Sequence, residues 1–357
     1  MTPRDESLLA ARLAAQQLAG PPAATVLDAV QRLLAVQGQD LRGARLAVRA
    51  RTAGLTAADV DRALTVDRSV LVTWLNRGTL HLVAAEDYWW LHALTTPPML
   101  TAVTRRLGQE GVPPDDAGRG VAAAEAALAS EGPLTRAQLR DRIAAAGVRT
   151  EGQALVHILA LASLRGLIVR GPITGRQHAF VLVRDWLGRP PPALPRDLAL
   201  AELARRYLAG HGPATDRDLA KWAGLPLGDA RRGLAGIAGS ITIRGELAEL
   251  AGRAASYGLP PPRLLGAYEP VLLGWSSRAD IVGAHGPVVT VNGLFRPFAM
   301  ARGRAVATWS LAGGEIELSP FGELSEADAA ALAADAGDIR RFLGLAVPVR
   351  AAGRGRG

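Results

Sequence analysis

Two glutamines separated by a single residue, Gln37 and Gln39, are the side chains whose type and spacing first suggest chemistry in this sequence. The preceding stretch is amphipathic, and its apolar residues recur at helical spacing: Val26, Leu27, Val30, Leu33 and Leu34. Gly38, between the two amides, is typical of a helix end. The sequence therefore predicts that a helix opens into a loop here, with the two amides close enough to converge on one small polar object, such as a water molecule or a base edge. On spacing alone, a solvated helix end with two ordinary surface glutamines is the favoured interpretation, because glutamine is mostly exposed.

The charge balance favours an anionic partner. The 357 residues include 41 basic and 33 acidic ones, which gives a net charge of +8, and Lys221 is the single lysine. The arginine guanidinium matches phosphate oxygens in geometry as well as in charge. Nucleic acid is therefore the expected partner, with a generic basic surface as the alternative.

The residue types that bind metals and redox cofactors are scarce. The chain has no cysteine, which excludes disulfides, thiolate nucleophiles and cysteine-based metal sites. The histidines are scattered without metal-ligand spacing: His81, His92, His157, His178, His211 and His285. We therefore expect no metal and no cofactor. No apolar run approaches the ~20 residues of a membrane span, and the charged N-terminus lacks a signal-peptide core, so a cytoplasmic location is expected.

The elements around the glutamines are small helices followed by a short β-hairpin, a pattern typical of a winged helix. The pattern recurs at ~80 residues, which suits tandem domains better than a solenoid. In the second copy, residues 152–165 take the position of a recognition helix, and a wing with Arg176 near its tip follows. After residue 260 the pattern becomes β-rich, and Asn292-Gly293 is a strong hairpin turn signal.

The predicted fold class is mainly α with a small β content (α+β), in which three tandem winged-helix domains precede a C-terminal β-barrel-like domain. The predicted boundaries are 1–95 for the N-terminal helix and the first winged helix, 96–190 for the second winged helix, 191–260 for the third, 261–346 for the barrel-like domain and 347–357 for a flexible basic tail.

Four segments, spread in order over almost the whole chain, resemble the AlkZ/YcaQ family of winged-helix DNA glycosylases, which are also described as winged helix DNA-binding proteins. The segments are Gln37–Asp40, Asn76–Val83 with Asp87–Trp89, Leu264–Trp275 and Gly303–Trp309. The resemblance implies three tandem winged helices and a barrel that together form a concave basic face. Its catalytic signature is Gln, an apolar residue, then Gln or Asp, and the Gln–Gln version marks the AlkZ branch, which removes alkylated guanines and unhooks interstrand crosslinks made by antibiotics. This sequence has both glutamines, with Gly38 at the usually apolar position.

The chemistry of such a site follows from what an amide can do. Glutamine is not a general base near neutral pH, but its carbonyl oxygen holds and polarises a water molecule. That suffices when the leaving group is already activated, as in a guanine alkylated on its imidazole ring, which is cationic and departs as a neutral base. We expect Gln37 to hold the attacking water and Gln39 to orient the water or the sugar-phosphate. Asp40 is a possible support for the cationic sugar, although an ion pair with Arg42 or Arg45 is the more ordinary expectation.

The candidate DNA-binding residues are mostly basic side chains near the motif or at predicted hairpin tips: Arg42, Arg45, Arg49, Arg77, His81, Arg176 and Arg304. For each arginine the alternative is a scattered surface charge. For His81, on a predicted strand, the favoured alternative is a partly buried histidine with a local backbone partner. Trp89 and Trp90 are expected in the core or between domains rather than stacked on bases.

The leading functional prediction is a monofunctional DNA glycosylase that acts on cationic alkylguanines in double-stranded DNA, including crosslinks made by antibiotics. The alternative is a non-catalytic winged-helix DNA-binding protein or transcription regulator. Regulators of this type are usually symmetric dimers, whereas three non-identical copies in one chain favour a monomer. A third option is a protein that sequesters a DNA-reactive metabolite.

Overall fold

The computed structural model describes residues 3–175, 177–252, 258–283, 286–290 and 292–345. The expected DNA contact Arg176 and the predicted tail 347–357 lie outside this part of the chain. Within it the fold is a mixed arrangement of α-helices and antiparallel β-sheets. None of the helices described is both long and apolar enough to cross a lipid bilayer.

The N-terminal region contains five helices and three strands. They are α1 (Pro3–Ala15), α2 (Val26–Leu33), β1 (Val36–Gln37), α3 (Leu41–Arg49), α4 (Ala57–Thr65), β2 (Val70–Leu75), β3 (Thr79–Ala84) and α5 (Tyr88–Thr95). Thr25 and Thr56 form capping boxes at the starts of α2 and α4, which satisfies backbone N–H groups that the first helical turn leaves unpaired.

The prediction that the helix continues to the glutamines is wrong. Helix α2 ends at Leu33, and Leu34 adopts a left-handed φ of 64°, which turns the chain sharply. Val36 and Gln37 then pair in antiparallel register with Leu82 and His81 of β3. The apolar run therefore continues into a buried strand instead of a solvated loop.

The middle region adds five helices and three strands. They are α6 (Pro97–Gln109), α7 (Pro114–Glu131), β4 (Leu134–Thr135), α8 (Arg136–Ala145), α9 (Ala154–Leu164), β5 (Ile168–Thr174), β6 (Gln177–Leu182) and α10 (Val183–Leu187). The pair of strands predicted after residues 152–165 is present as the β5–β6 hairpin, and its assignment as a wing stays a prediction. Strands from both of the first two predicted domains form one six-stranded sheet in the order β1-β3-β2-β5-β6-β4. The boundary at residues 95 and 96, and the count of winged helices, stay predictions.

Helix α9, in the position predicted for a recognition helix, is a core helix. Nine of its eleven residues are buried, and its apolar side chains leave no polar face for reading bases. Ser163 of this helix bonds Thr73 of β2, hydroxyl to hydroxyl, at 3.2 Å. The helix therefore supports the six-stranded sheet from one side.

The C-terminal part begins with a helical group and ends in a second sheet. The helical group comprises α11 (Arg196–His211), α12 (Asp216–Ala223), α13 (Leu227–Gly236) and the hairpin β7 (Ile241–Arg244) with β8 (Leu247–Leu250). Then follow β9 (Arg263–Leu265), α14 (Ala279–Val282), β10 (Phe298–Ala301), β11 (Arg304–Ala312), β12 (Glu315–Pro320) and α15 (Glu326–Leu343).

The predicted β-barrel is not observed among the described residues, because strands β12-β11-β10-β9 form an open sheet. Within the part expected to be β-rich, Pro270–Leu272 forms a 3₁₀ turn, since proline fixes φ and gives no N–H to a strand ladder. Helix α15 covers the sheet with Leu332, Ile339 and Phe342, all buried.

Candidate active site

Gln37 is held by strand pairing. It lies opposite His81 in the β1–β3 ladder and is 6% exposed. Its Nε2 donates to Oε1 of Gln39 at 2.6 Å. Its own Oε1 is buried and has no hydrogen-bond partner among the described residues. The two amides therefore form one unit in which one buried carbonyl oxygen is left to accept a hydrogen bond.

Gly38 lets the two glutamines lie against β3. Its N–H donates to the carbonyl oxygen of Leu80 at 2.7 Å, so this backbone is fixed although the residue is glycine. A Cβ at Gly38 would lie 3.3 Å from the Leu82 nitrogen and 3.4 Å from Val72 Cγ1. Gln39, one residue further, is exposed. The motif thus runs from a buried amide to an exposed one.

His81 is a buried, neutral neighbour of the pair. It is 3% exposed, and its Nδ1 donates to the Thr79 carbonyl oxygen at 3.0 Å. Burial, followed by the positive charge of Arg77, lowers the pKa of His81 to about 3. The expected local backbone partner is confirmed, and the ring is almost fully rather than partly buried. A phosphate contact by His81 is disfavoured because the ring is enclosed and uncharged.

The two glutamines line an open recess of about 480 Å³. The rest of its wall comes from the β2–β3 turn and from the region between β9 and β10: Arg77, Thr79, Tyr268, Leu273, Arg278, Asn292, Gly293, Leu294 and Phe295. Tyr268 and Phe295 lie with ring centroids 5.6 Å apart, and the Arg278 guanidinium lies 5.0 Å from the Phe295 ring centroid. The recess is therefore lined by the two polar amides, by two aromatic rings and by two arginines.

The two arginines of the recess are placed differently. Arg77 has a left-handed φ of 58° and donates to the carbonyl oxygens of Lys221 and Trp222 in the last turn of α12. Burial, and then the positive charge of Arg278, lowers the pKa of Arg77. Arg278 has no ion pair with any described carboxylate. This side of the recess is therefore positively charged and suited to an anion such as a phosphate.

Asp40 has a structural role at the start of α3. Its side chain accepts from the Gly43 backbone N–H and caps α3. It forms no ion pair within the described ranges, so the pair expected with Arg42 or Arg45 is absent there. Arg45 instead pairs with Asp61, its Nε lying 2.9 Å from Oδ1. Asp40 does not line the recess, and a role beside the sugar remains a prediction.

Arg49, expected to bind DNA, lies in the interior of the protein instead. Its side chain is 3% exposed, because it bridges α3 to the C-terminal sheet and helix. It pairs with Asp335 and Asp338 of α15 at 2.9 Å each and donates to the Leu264 carbonyl oxygen at 3.0 Å. Because these contacts bury and pair the guanidinium group, Arg49 is not available to a phosphate.

Arg42 and Arg304 are exposed, in keeping with their expected role, although neither lines the recess. Three residues that do line it, Tyr268, Arg278 and Phe295, were not singled out from the sequence. Tyr268 stands inside one of the segments that carry the family resemblance, and Phe295 follows the recognised turn signal Asn292-Gly293. These two signals were present, but nothing in the spacing along the chain joins them to Gln37.

The described residues contain no group of three or more histidine, aspartate or glutamate side chains that is placed to hold a metal ion. The functional groups that line the recess are amides, guanidinium groups, aromatic rings and the hydroxyls of Thr79 and Tyr268. Such groups position and polarise a substrate or a water molecule rather than exchange protons with it.

Comparisons with known proteins agree with one another. Residues 30–342 match the family described as DNA glycosylase AlkZ-like. The chain is 27% identical over 354 residues to an interstrand DNA cross-link repair glycosylase of Streptomyces sahachiroi, with 90% of this chain and 92% of that protein covered. The solved structure of the Streptomyces sahachiroi DNA glycosylase AlkZ superposes with a TM-score of 0.77 at 25% identity, covering 95% of this chain and 96% of that one.

Proposed function

The chain belongs to the AlkZ-like family of DNA glycosylases, and from this premise we propose that it hydrolyses the glycosidic bond of cationic alkylguanines in double-stranded DNA. The proposal includes interstrand crosslinks, since a curated relative is named as a cross-link repair glycosylase. The reaction needs a water molecule near the anomeric carbon and a leaving base made labile by its positive charge. No metal, cofactor or covalent intermediate is needed.

The observation that carries the proposal is the unpartnered Oε1 of Gln37. A buried carbonyl without a hydrogen-bond partner costs about 1–3 kcal/mol, so this oxygen is a favourable place for a water molecule bound during the reaction. The 2.6 Å bond from Gln37 Nε2 to Gln39 fixes which way the amide points. The oxygen then accepts a hydrogen bond from the water and leaves the water's lone pairs free to attack.

Gln39 completes the arrangement from the exposed side. Its Oε1 accepts from Gln37, so its Nε2 remains to donate to a sugar or phosphate oxygen of the substrate. Arg77 and Arg278 on the wall of the recess supply positive charge for the same phosphate backbone. The site thus holds the DNA by charge and the water by a neutral amide.

A neutral water-holding group suits this substrate and excludes others. Departure of a base alkylated at the imidazole ring leaves it uncharged, so no general acid is required. His81, with its pKa lowered to about 3, stays neutral at physiological pH and adds no charge beside a developing oxocarbenium ion. Unmodified guanine, which needs protonation to leave, is therefore predicted to be inert at this site.

The test is release of 7-methylguanine from a duplex that carries a single modified site, scored by strand cleavage at the resulting abasic site. We expect enzyme-dependent release, no release from the unmodified duplex, and no change on addition of a metal chelator. A protein that binds the duplex tightly but leaves no abasic sites would be a non-catalytic binder, and the proposal would then be wrong.

A further inference from the structure

Tyr268 lines the recess with a backbone conformation that its surroundings must hold in place. Its φ of 55° is in the left-handed region, which costs a residue with a side chain roughly 1 kcal/mol or more. Such a conformation persists only where the surroundings fix it. Contacts on both sides of Tyr268 do so.

On the N-terminal side, the backbone of Gly266 and Ala267 packs directly on the first turn of α3. A Cβ at Gly43 would collide with the Ala267 carbonyl oxygen, and a Cβ at Gly266 would lie 3.0 Å from the Gly43 Cα. The same turn of α3 is capped by Asp40, which directly follows the glutamine motif. The segment carrying Tyr268 is therefore fixed against the end of that motif.

On the C-terminal side, Glu269 is fully buried and pairs with Arg51 at 2.6 Å, both side chains being 0% exposed. Arg51 also donates to the backbone oxygen and to the side-chain Oε1 of Gln16, at 2.8 and 2.9 Å. A buried ion pair with these extra hydrogen bonds is directional, because moving Glu269 would leave a charge unpaired. Tyr268 is thus held between two anchors.

These anchors place the tyrosine ring beside Phe295 on the wall of the recess, in the same cavity as Gln37 and Gln39. Tyr268 and Phe295 are each half-buried, so part of each ring faces the open space. An electron-rich ring face attracts a planar cation, and bases of every kind stack on aromatic side chains. An alkylated guanine is both planar and cationic, whereas the backbone around it is anionic and suits the two arginines.

We propose that Tyr268 is the stacking partner that recognises the positively charged, alkylated purine in this recess. This inference rests on the proposed glycosylase function, but it concerns binding and not the hydrolytic step. The tyrosine selects the charged base, and the glutamine pair acts on the bond that joins that base to the sugar.

The experiment measures binding without requiring turnover. The full-length protein is titrated with a duplex containing one 2′-fluoro-7-methylguanine, in which the fluorine slows loss of the base, and with the same duplex containing 2′-fluoroguanine. The readout is the ratio of the two dissociation constants at fixed salt. Thermal melting of each variant checks that it is folded.

We expect the wild-type protein to prefer the methylated duplex. The Tyr268→Phe variant should keep the ratio within about twofold, and Tyr268→Leu should reduce it about tenfold, with binding of the unmodified duplex unchanged. The matched control is Trp89→Leu, a half-buried aromatic outside the recess, which should keep the ratio. Phe295→Leu, which leaves the Tyr268 backbone untouched, should lower the ratio of dissociation constants about threefold. This variant replaces Tyr268→Leu in the test if Tyr268→Leu does not fold.

A wild-type protein without preference, or a Tyr268→Leu variant with an undiminished ratio, would overturn this inference. A loss of preference that is equal in Trp89→Leu would also overturn it. The proposed function is tested separately. A tyrosine-dependent preference without release of 7-methylguanine supports the stacking role and contradicts hydrolysis. Release of 7-methylguanine without tyrosine-dependent binding supports hydrolysis and contradicts the stacking role.

Discussion

Gln37 and His81 face each other across the antiparallel pair β1 and β3, so the amide assigned to the water molecule lies next to an imidazole that is buried and uncharged. Directly opposed residues in such a ladder lie on the same face of the sheet. The electrostatic character of the site therefore depends on His81 staying neutral.

The first prediction concerns stability as the pH falls. Because the folded pKa of His81 is about 3, while an unfolded histidine has a pKa near 6.5, only the unfolded chain takes up the proton between these values. The wild-type protein should lose stability as the pH falls from 6.5 towards 3, by up to about 1.4 kcal/mol per pH unit from this residue. His81→Asn, which keeps a donor for Thr79, removes this contribution. Urea unfolding of both proteins at several pH values measures the free energy of unfolding. If that free energy changes with pH in the same way in both proteins, the effect does not come from His81.

The second prediction separates structural from DNA-binding arginines. Arg49→Ala breaks a buried ion-pair cluster and leaves Asp335, which is mostly buried, without its partner. We expect the free energy of unfolding to fall by about 3 kcal/mol, with DNA affinity unchanged at temperatures where the variant is folded. Chemical denaturation and anisotropy titrations measure the two quantities. A stable variant with weakened DNA binding would show that Arg49 is accessible after all.

The third prediction is the converse, for an exposed arginine of the same helix. Arg42→Ala should change the free energy of unfolding by less than about 0.5 kcal/mol, because the side chain is exposed. If Arg42 contacts a phosphate, the slope of log affinity against log salt concentration should fall by about one. Titrations at four salt concentrations test this. An unaltered slope would remove Arg42 from the DNA-binding set.

The fourth prediction addresses Gly38, where the family usually has an apolar side chain. The Gly38 N–H already bonds Leu80, so the glycine does not loosen the backbone, and an added Cβ meets Leu82 and Val72 at tight but bearable distances. Gly38→Ala should change stability by less than about 1 kcal/mol and keep the release of 7-methylguanine within about threefold. A loss of a hundredfold would mean that the close approach of this strand to β3 is essential.

The sequence located the glutamine pair and the hairpin β5–β6, because each depends on neighbours close along the chain. It misplaced the end of α2, because a left-handed Leu34 and a strand of two residues leave no periodic signal. Strand β1 exists only because β3 is beside it, and that pairing spans more than forty residues.

The candidate site was only half predictable for the same reason. Nothing in the sequence distinguishes Arg49 from Arg42, which lies in the same helix and is exposed. Arg49 is buried because α15 packs against it. Tyr268 and Arg278 lie more than two hundred residues from Gln37 along the chain, and the backbone packing of Gly43 on Ala267 places the segment of Tyr268. Helical and strand periodicity show which face of an element is buried, but not which distant segment lies on it.

The fifth prediction is the most direct test of the central claim, that a water molecule held by Gln37 hydrolyses the bond to a base already made labile by alkylation. Under single-turnover conditions with saturating protein, the rate of 7-methylguanine release is compared for the wild type, Gln37→Ala, Gln39→Ala and the recess-distant control Gln153→Ala. We expect about a hundredfold loss for Gln37→Ala, a smaller loss for Gln39→Ala, and no change for the control, with duplex affinity retained in Gln37→Ala and in the control. Undiminished release by Gln37→Ala would contradict the account.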